Sequence, residues 1–315
     1  MSSNLKSIHK ILLAVDGSEH SYAAVQTVRD FALSSASCAG CQVLVLGALP
    51  HTEGSNQAAY LFPLQQAKKM LDAKKIPTTV ELIQGFPTEV ILNYAAAQKP
   101  DLIVLGAKGL RATFGILLGG VAQQVVEYAE CPVLVIRAPY RKLMHVLLVT
   151  DGSAHSRNAM EFAAKFPFIP DASFHLLHVL PPSAILTPET LAQVWSLSDD
   201  VIDLPVFTSE ELAAEEETAR KAGQTVVDEA DQILSSQNIH ARHVLLRGDA
   251  ATEILQYARD TKIDLIVVGS RGLSQVQSWL VGSVSRKLVH YAECSVMLVK
   301  RAQSATGTAI EDWKT

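Results

Sequence analysis

The sequence predicts an α/β protein of two tandem domains, each a parallel sheet covered by helices on both faces. Three observations predict it. Short apolar runs of strand length alternate with longer amphipathic stretches, the pattern of parallel strands joined by crossover helices. The chain is also one unit written twice. DLIVLGAKGL from Asp101 recurs as DLIVVGSRGL from Asp264, 163 positions on, and YAECPVLVIR from Tyr128 recurs as YAECSVMLVK from Tyr291 at the same offset. Near the start of each half, ILLAVDGSEHS from Ile11 recurs as VLLVTDGSAHS from Val146, 135 positions on. Finally, 315 residues is long for one domain and comfortable for two.

In order along repeat 1, apolar runs place strands near 8–15, 42–48, 78–84, 101–106 and 132–137, with helices between them. Repeat 2 places them near 144–150, 173–180, 240–246, 264–269 and 295–300. This divides the chain into a first domain over 1–140, a second over 141–302 and a polar tail over 303–315. The two offsets differ by 28 residues, so repeat 2 carries an insertion. It maps to 181–207, where Pro181, Pro182, Pro188 and Pro205 mark an irregular excursion. A long helix should follow, with Thr208 as N-cap and Glu211 as its capping-box partner. Its acidic cluster, Glu215 to Glu217, reads as a solvated face.

Composition limits the function classes. Hydrophobic residues make up 48% and charged ones 19%, which suits a protein with substantial cores. A net charge of -5 without a basic run argues against nucleic-acid binding. No apolar run approaches the length of a membrane span, and the polar start MSSNLKSIHK lacks a signal-peptide core, so the expected location is cytoplasmic. Cys38 and Cys41 form CAGC just before a strand, with no second pair, and read as two small residues in a turn. Cys131 and Cys294 hold equivalent places before the last strand of each half and read as buried structural thiols.

The stretch from Gly269 to Ser285, GSRGLSQVQSWLVGSVS, carries the clearest chemistry. It follows a buried strand and leads into a helix opening at Gly282 and Ser283. Glycines allow close backbone approach, and a helix N-terminus offers unpaired N–H donors at the positive end of its dipole. Hydroxyls at Ser283 and Ser285 add donors, and the whole is suited to a phosphate. In a doubly wound sheet, ligands sit beyond the carboxyl ends of the strands where strand order reverses. Asp16 and Asp151 end the first strands, Gly106 and Gly269 the fourth, so each Asp should share a crevice with a glycine loop. A cap on the following helix is the plainer reading of each Asp, and close helix–sheet packing that of each glycine. His175 and His178 alternate with apolar residues on a strand and read as satisfied structural histidines.

The strand ending in VDGS or TDGS, the G-x2-G-x9-G-[ST] loop after the fourth strand and the closing CPVLV strand together resemble the universal stress protein family. The resemblance covers both repeats. It implies a Rossmann-like fold of the adenine nucleotide alpha hydrolase-like kind, with five parallel strands ordered 3-2-1-4-5. It also implies ATP binding in one subgroup and pairing of domains through their last strands, so that the two repeats form an intramolecular pseudo-dimer. A further homodimer and an unidentified protein partner are left open. Carried onto repeat 2, the resemblance puts Val149, Thr150 and Asp151 at the nucleoside end. Val179 offers backbone groups to adenine, and Val268 and Gly269 line the ribose. Gly272, Gly282, Ser283, Val284 and Ser285 surround the phosphates, with Mg²⁺ expected beside ATP.

Repeat 1 keeps Asp16, Gly106, Gly109 and Gly119 but has Gly120 in place of Ser283 and Ala122 in place of Ser285. It is therefore expected to be the weaker second site, and repeat 2 the principal one. No Walker-A GxxxxGK[ST] sequence and no evident base near the loop point away from fast turnover. A nucleotide-dependent stress-response regulator is the leading expectation. A nucleotide-independent interaction scaffold and a slow ATPase or autokinase are the alternatives.

Overall fold

The apolar runs of both repeats become the ten strands of one continuous sheet. The computed structural model describes residues 8–34, 41–50, 57–110, 117–182, 209–272 and 281–300. Repeat 1 runs β1 (Lys10–Ala14), α1 (Glu19–Ser34), β2 (Gln42–Leu49), α2 (Gln57–Asp72), β3 (Thr78–Gln84), α3 (Pro87–Gln98), β4 (Leu102–Gly106), α4 (Gly120–Tyr128) and β5 (Val133–Ile136). Repeat 2 runs β6 (His145–Val149), α5 (Ala154–Lys165), β7 (Ser173–Leu180), α6 (Ser209–Ser235), β8 (Ala241–Arg247), α7 (Ala250–Asp260), β9 (Leu265–Gly269), α8 (Ser283–Tyr291) and β10 (Ser295–Val299). Every strand lies within two residues of the expected limits. The Thr208 cap, most of the 181–207 insertion and the 303–315 tail lie outside the described residues.

The strand order is β3-β2-β1-β4-β5-β10-β9-β6-β7-β8. Each repeat is thus internally parallel in the order expected, and the two meet where β5 runs antiparallel to β10. Central strands such as LIVLG and LIVVG are buried because helices cover both faces, whereas the edge strand TTVELIQ alternates partly buried and exposed residues. Successive residues serve opposite faces: Ile11 and Leu13 join the core beneath α1, α2, α5 and α6, while Leu12 joins that beneath α3, α4, α7 and α8. The chain leaves β1 for one face and β4 for the other, so the β1/β4 and β6/β9 boundaries are the switch points.

Two cysteine readings meet different outcomes. Cys41 is disulfide-bonded and so is not merely a small turn residue; Cys38 lies outside the described residues. Cys131 and Cys294 are free, and burial pushes both thiols up to about 12, the behaviour of structural rather than reactive cysteines. No helix among the described residues is long and apolar enough to cross a membrane.

Candidate functional site

At the repeat 2 switch point the sheet itself opens a slot. The β6–β7 pairing ends at Val149 and Leu177, with a last bond from the Thr150 N–H to the Leu177 carbonyl at 3.0 Å. Strand β7 continues beside β8 to Leu180, whose carbonyl accepts the Gly248 N–H. Strand groups alternate sides, so the Val179 N–H and C=O point away from β8, past the end of β6. Val179 therefore presents a donor and an acceptor at the crevice, the pair that an adenine edge matches. His178 donates from Nδ1 to the Thr150 carbonyl (2.9 Å), and His175 Nδ1 meets the Tyr257 hydroxyl (2.7 Å), so both histidines have structural partners.

The turn after β6 is held by its own side chains. The Ser153 N–H donates to Asp151 Oδ1 at 3.0 Å, and Ser153 Oγ accepts from the Ser156 N–H as the N-cap of α5. The cap is thus Ser153, and Asp151 is freed from that role. Thr150 is buried, its hydroxyl 3.3 Å from Ser156 Oγ and accepting the Gly152 N–H, so that hydroxyl is committed within the turn. Val149 and Val268 are buried beneath the crevice floor.

The glycines have separate reasons. A Cβ on Gly269 would lie 2.7 Å from the His155 carbonyl oxygen, so this buried glycine lets α5 pack on the end of β9; Gly106 does the same for His20 on α1. A Cβ on Gly272 would lie 2.5 Å from Asp151 Oδ2, which brings the loop against the carboxylate. Gly282 closes the loop: its N–H donates to the Ser270 carbonyl (2.8 Å), and its Cα faces the Arg271 backbone. Helix α8 then starts with Gly282 as N-cap and no side-chain cap. The N–H groups of Ser283, Val284 and Ser285 precede the first intrahelical bond, which Arg286 makes to Gly282. Ser283 stands exposed at this end.

Ser285 corrects the sequence reading. Its hydroxyl is buried and donates to the Gly269 carbonyl at 2.7 Å, so the proton expected to face a phosphate is spent tying α8 to β9. We expect Ser285→Ala to lower unfolding stability in urea by about 1 kcal/mol while changing nucleotide affinity little. A large affinity loss at unchanged stability would restore the phosphate role. Lys287 lies 3.9 Å from Asp249, whereas Arg286 donates to the Val281 carbonyl at the end of the loop and approaches Glu127.

Repeat 1 repeats the layout with fewer polar groups. Asp16 Oδ1 accepts the Ser18 N–H and Oδ2 the Leu110 N–H, each at 3.0 Å. A Cβ on Gly109 would lie 2.7 Å from Asp16 Oδ2, and Gly119 donates to the Ala107 carbonyl. Gly120 opens α4 with nothing near a would-be Cβ, and Ala122 is buried where Ser285 makes its tie. Exposed Phe86, Leu110, Leu117 and Val121 stand on this repeat's loop and neighbouring helix starts. A small cavity of about 10 Å³ between α1, Tyr140 to Leu143 and the Phe166 to Ile169 segment is too small for a nucleotide.

The profile described as the universal stress protein family matches residues 7–137 and again 142–300. A universal stress protein of Mycolicibacterium smegmatis is 26% identical over 310 residues, covering 92% of this chain and 96% of the relative. One from Thermus aquaticus is 36% identical over 137 residues, covering 40% of this chain and 97% of its own length. The crystal structure of a universal stress protein from Archaeoglobus fulgidus aligns with a TM-score of 0.61 at 18% identity, covering 93% of this chain and 98% of that one. At that identity the last likeness speaks for the fold.

Proposed function

The chain belongs to the universal stress protein family as a tandem member, and from that premise we infer an ATP-binding, nucleotide-dependent stress-response regulator with repeat 2 as its principal site. One observation carries the reading. The unpaired backbone edge of Val179 and the uncapped N-terminus of α8 lie on the two sides of one switch point, with Asp151 and Gly272 in contact distance between them. A purine suits the first end and phosphates the second. Asp151 suits the sugar hydroxyls between them, since a carboxylate accepts from hydroxyl donors and repels phosphates.

Among the described residues no three metal-ligating side chains converge, so Mg²⁺ would enter on the phosphates and keep most of its water. Catalysis has little support from the side chains present. With the Ser285 proton committed to Gly269, Ser283 is the exposed hydroxyl that an autokinase reading would use. Regulation through the bound state fits better.

Ser283→Ala is expected to weaken ATP binding about tenfold by calorimetry, the worth of one hydrogen bond to a charged group. An unchanged affinity would remove Ser283 from the site. Nucleotide released by acid from the purified protein should be adenine nucleotide, about one per chain. The scaffold reading finds its support in repeat 1, where Gly120 and Ala122 stand in place of Ser283 and Ser285 and the apolar side chains of Phe86, Leu110 and Leu117 are exposed. A nucleotide-free protein whose variants at both loops behave alike would favour it.

A further inference from the structure

The far end of the repeat 2 phosphate helix is held by a residue of the other repeat. Arg137 directly follows β5, and its Nη2 donates to the carbonyls of Val289 (3.0 Å) and His290 (3.2 Å) in the last turn of α8. Those are carbonyls that a helix end leaves without an intrahelical donor. Nη1 of the same guanidinium donates to the Leu117 carbonyl, two residues before Gly119, and the Arg137 N–H donates to Ser295 Oγ at 3.3 Å. The planar fork is therefore held from both repeats at once. The arrangement recurs across the seam. Lys300 occupies the position of Arg137 in repeat 2, and its Nζ donates to the carbonyl of Glu127, the residue of α4 equivalent to His290. A device present twice under the pseudo-two-fold relation is not an accident of one side chain.

Helix α8 spans nine residues, roughly 13 Å, and behaves as a short rod. One end carries the free N–H groups offered to phosphate and the other is clamped by Arg137. Releasing the clamp lets the rod pivot about the Ser285–Gly269 tie, which displaces the donors that must meet the phosphate oxygens. We propose that Arg137 of repeat 1 is a positioning residue for the phosphate end of the repeat 2 site, which makes that site a product of both repeats. The proposal rests on the nucleotide reading above. It also accounts for an arginine rather than a lysine here, since one ammonium cannot span the three carbonyls that the guanidinium reaches.

The test compares ATP with adenosine in the full chain, by calorimetry, for wild type, Arg137→Met and Arg137→Lys. Arg137→Met should bind ATP roughly tenfold more weakly, with adenosine affinity unchanged, and Arg137→Lys should fall between it and wild type. A general loss of structure would weaken both ligands together, and that result would overturn the proposal, as would unchanged ATP affinity. Should Arg137→Met fail to fold, the Lys variant decides alone: ATP weakened severalfold with adenosine retained supports it, and equal changes defeat it. If wild type binds neither ligand, the nucleotide reading itself has failed and this inference falls with it. If wild type binds both and the variants match it, only this inference falls.

Discussion

Gly272→Ala is expected to weaken ATP binding by about a hundredfold, whereas Gly109→Ala leaves it within about twofold. The two substitutions are matched in steric cost. A Cβ at position 272 lies 2.5 Å from Asp151 Oδ2, and one at 109 lies 2.7 Å from Asp16 Oδ2. Neither carboxylate can retreat freely, because Oδ1 of each accepts the N–H of the serine two residues on at 3.0 Å. The loop must therefore move, and in repeat 2 it is closed through the Gly282 N–H on the Ser270 carbonyl. Displacing it separates Asp151 from the start of α8, which splits the two halves of the candidate site. Repeat 1 suffers the same displacement without the hydroxyl of Ser283 at stake. Calorimetric titration of both variants checks the assignment. Equal losses would make the repeats equivalent, and no loss at Gly272 would put the nucleotide elsewhere.

Much of this arrangement is legible in the sequence, and the places where it is not have physical causes. Strands such as DLIVVG are readable because burial on both faces demands unbroken apolar runs. The glycine positions are readable as a pattern, yet the pattern merges three different needs. Gly269 yields to the α5 backbone, Gly272 to a carboxylate and Gly282 to its own loop, and only atomic distances separate these. The direction of the Ser285 hydroxyl, which donates to the Gly269 carbonyl, is not legible, because a sequence shows a hydroxyl but not where it points. A signal was available: Ser285, Leu288, Val289 and Ala292 share one helix face, and all are buried. The smaller Ala122 at the matching place in repeat 1 fits that buried face as well. Ala48 of repeat 1 stands where Val179 does, one residue short of the end of β2, a place no sequence pattern marks because strand overhang depends on the length of a neighbour. The contacts of Arg137 were out of reach for a further reason. They join residues 152 and 153 positions apart, across a seam whose register no local periodicity encodes.

Lys300→Met should change how stability depends on pH at the same seam. Burial, reinforced by Arg271, brings the Lys300 ammonium down to about 8 from the usual 10.5, despite the opposing pull of Glu127, Glu130 and Cys131. Below pH 8 both folded and unfolded chains hold the proton, and the folded state carries the full cost of a partly buried charge. Between about 8 and 10.5 the folded chain has released the proton while the unfolded chain keeps it, so wild-type stability rises with pH. Above that range the cost is gone. Methionine carries no charge, so the other titrating groups cancel in the difference between the two proteins. With solvent screening allowed for, wild type should gain about 1–2 kcal/mol relative to Lys300→Met between pH 7.5 and 10 in urea unfolding. The neutral amine still donates to the Glu127 carbonyl, at 2.8 Å in the folded chain, so the gain comes without loss of that clamp. A difference that stays flat across this range would mean that the ammonium is solvated at the seam. The Lys300 clamp on α4 would then carry no desolvation cost.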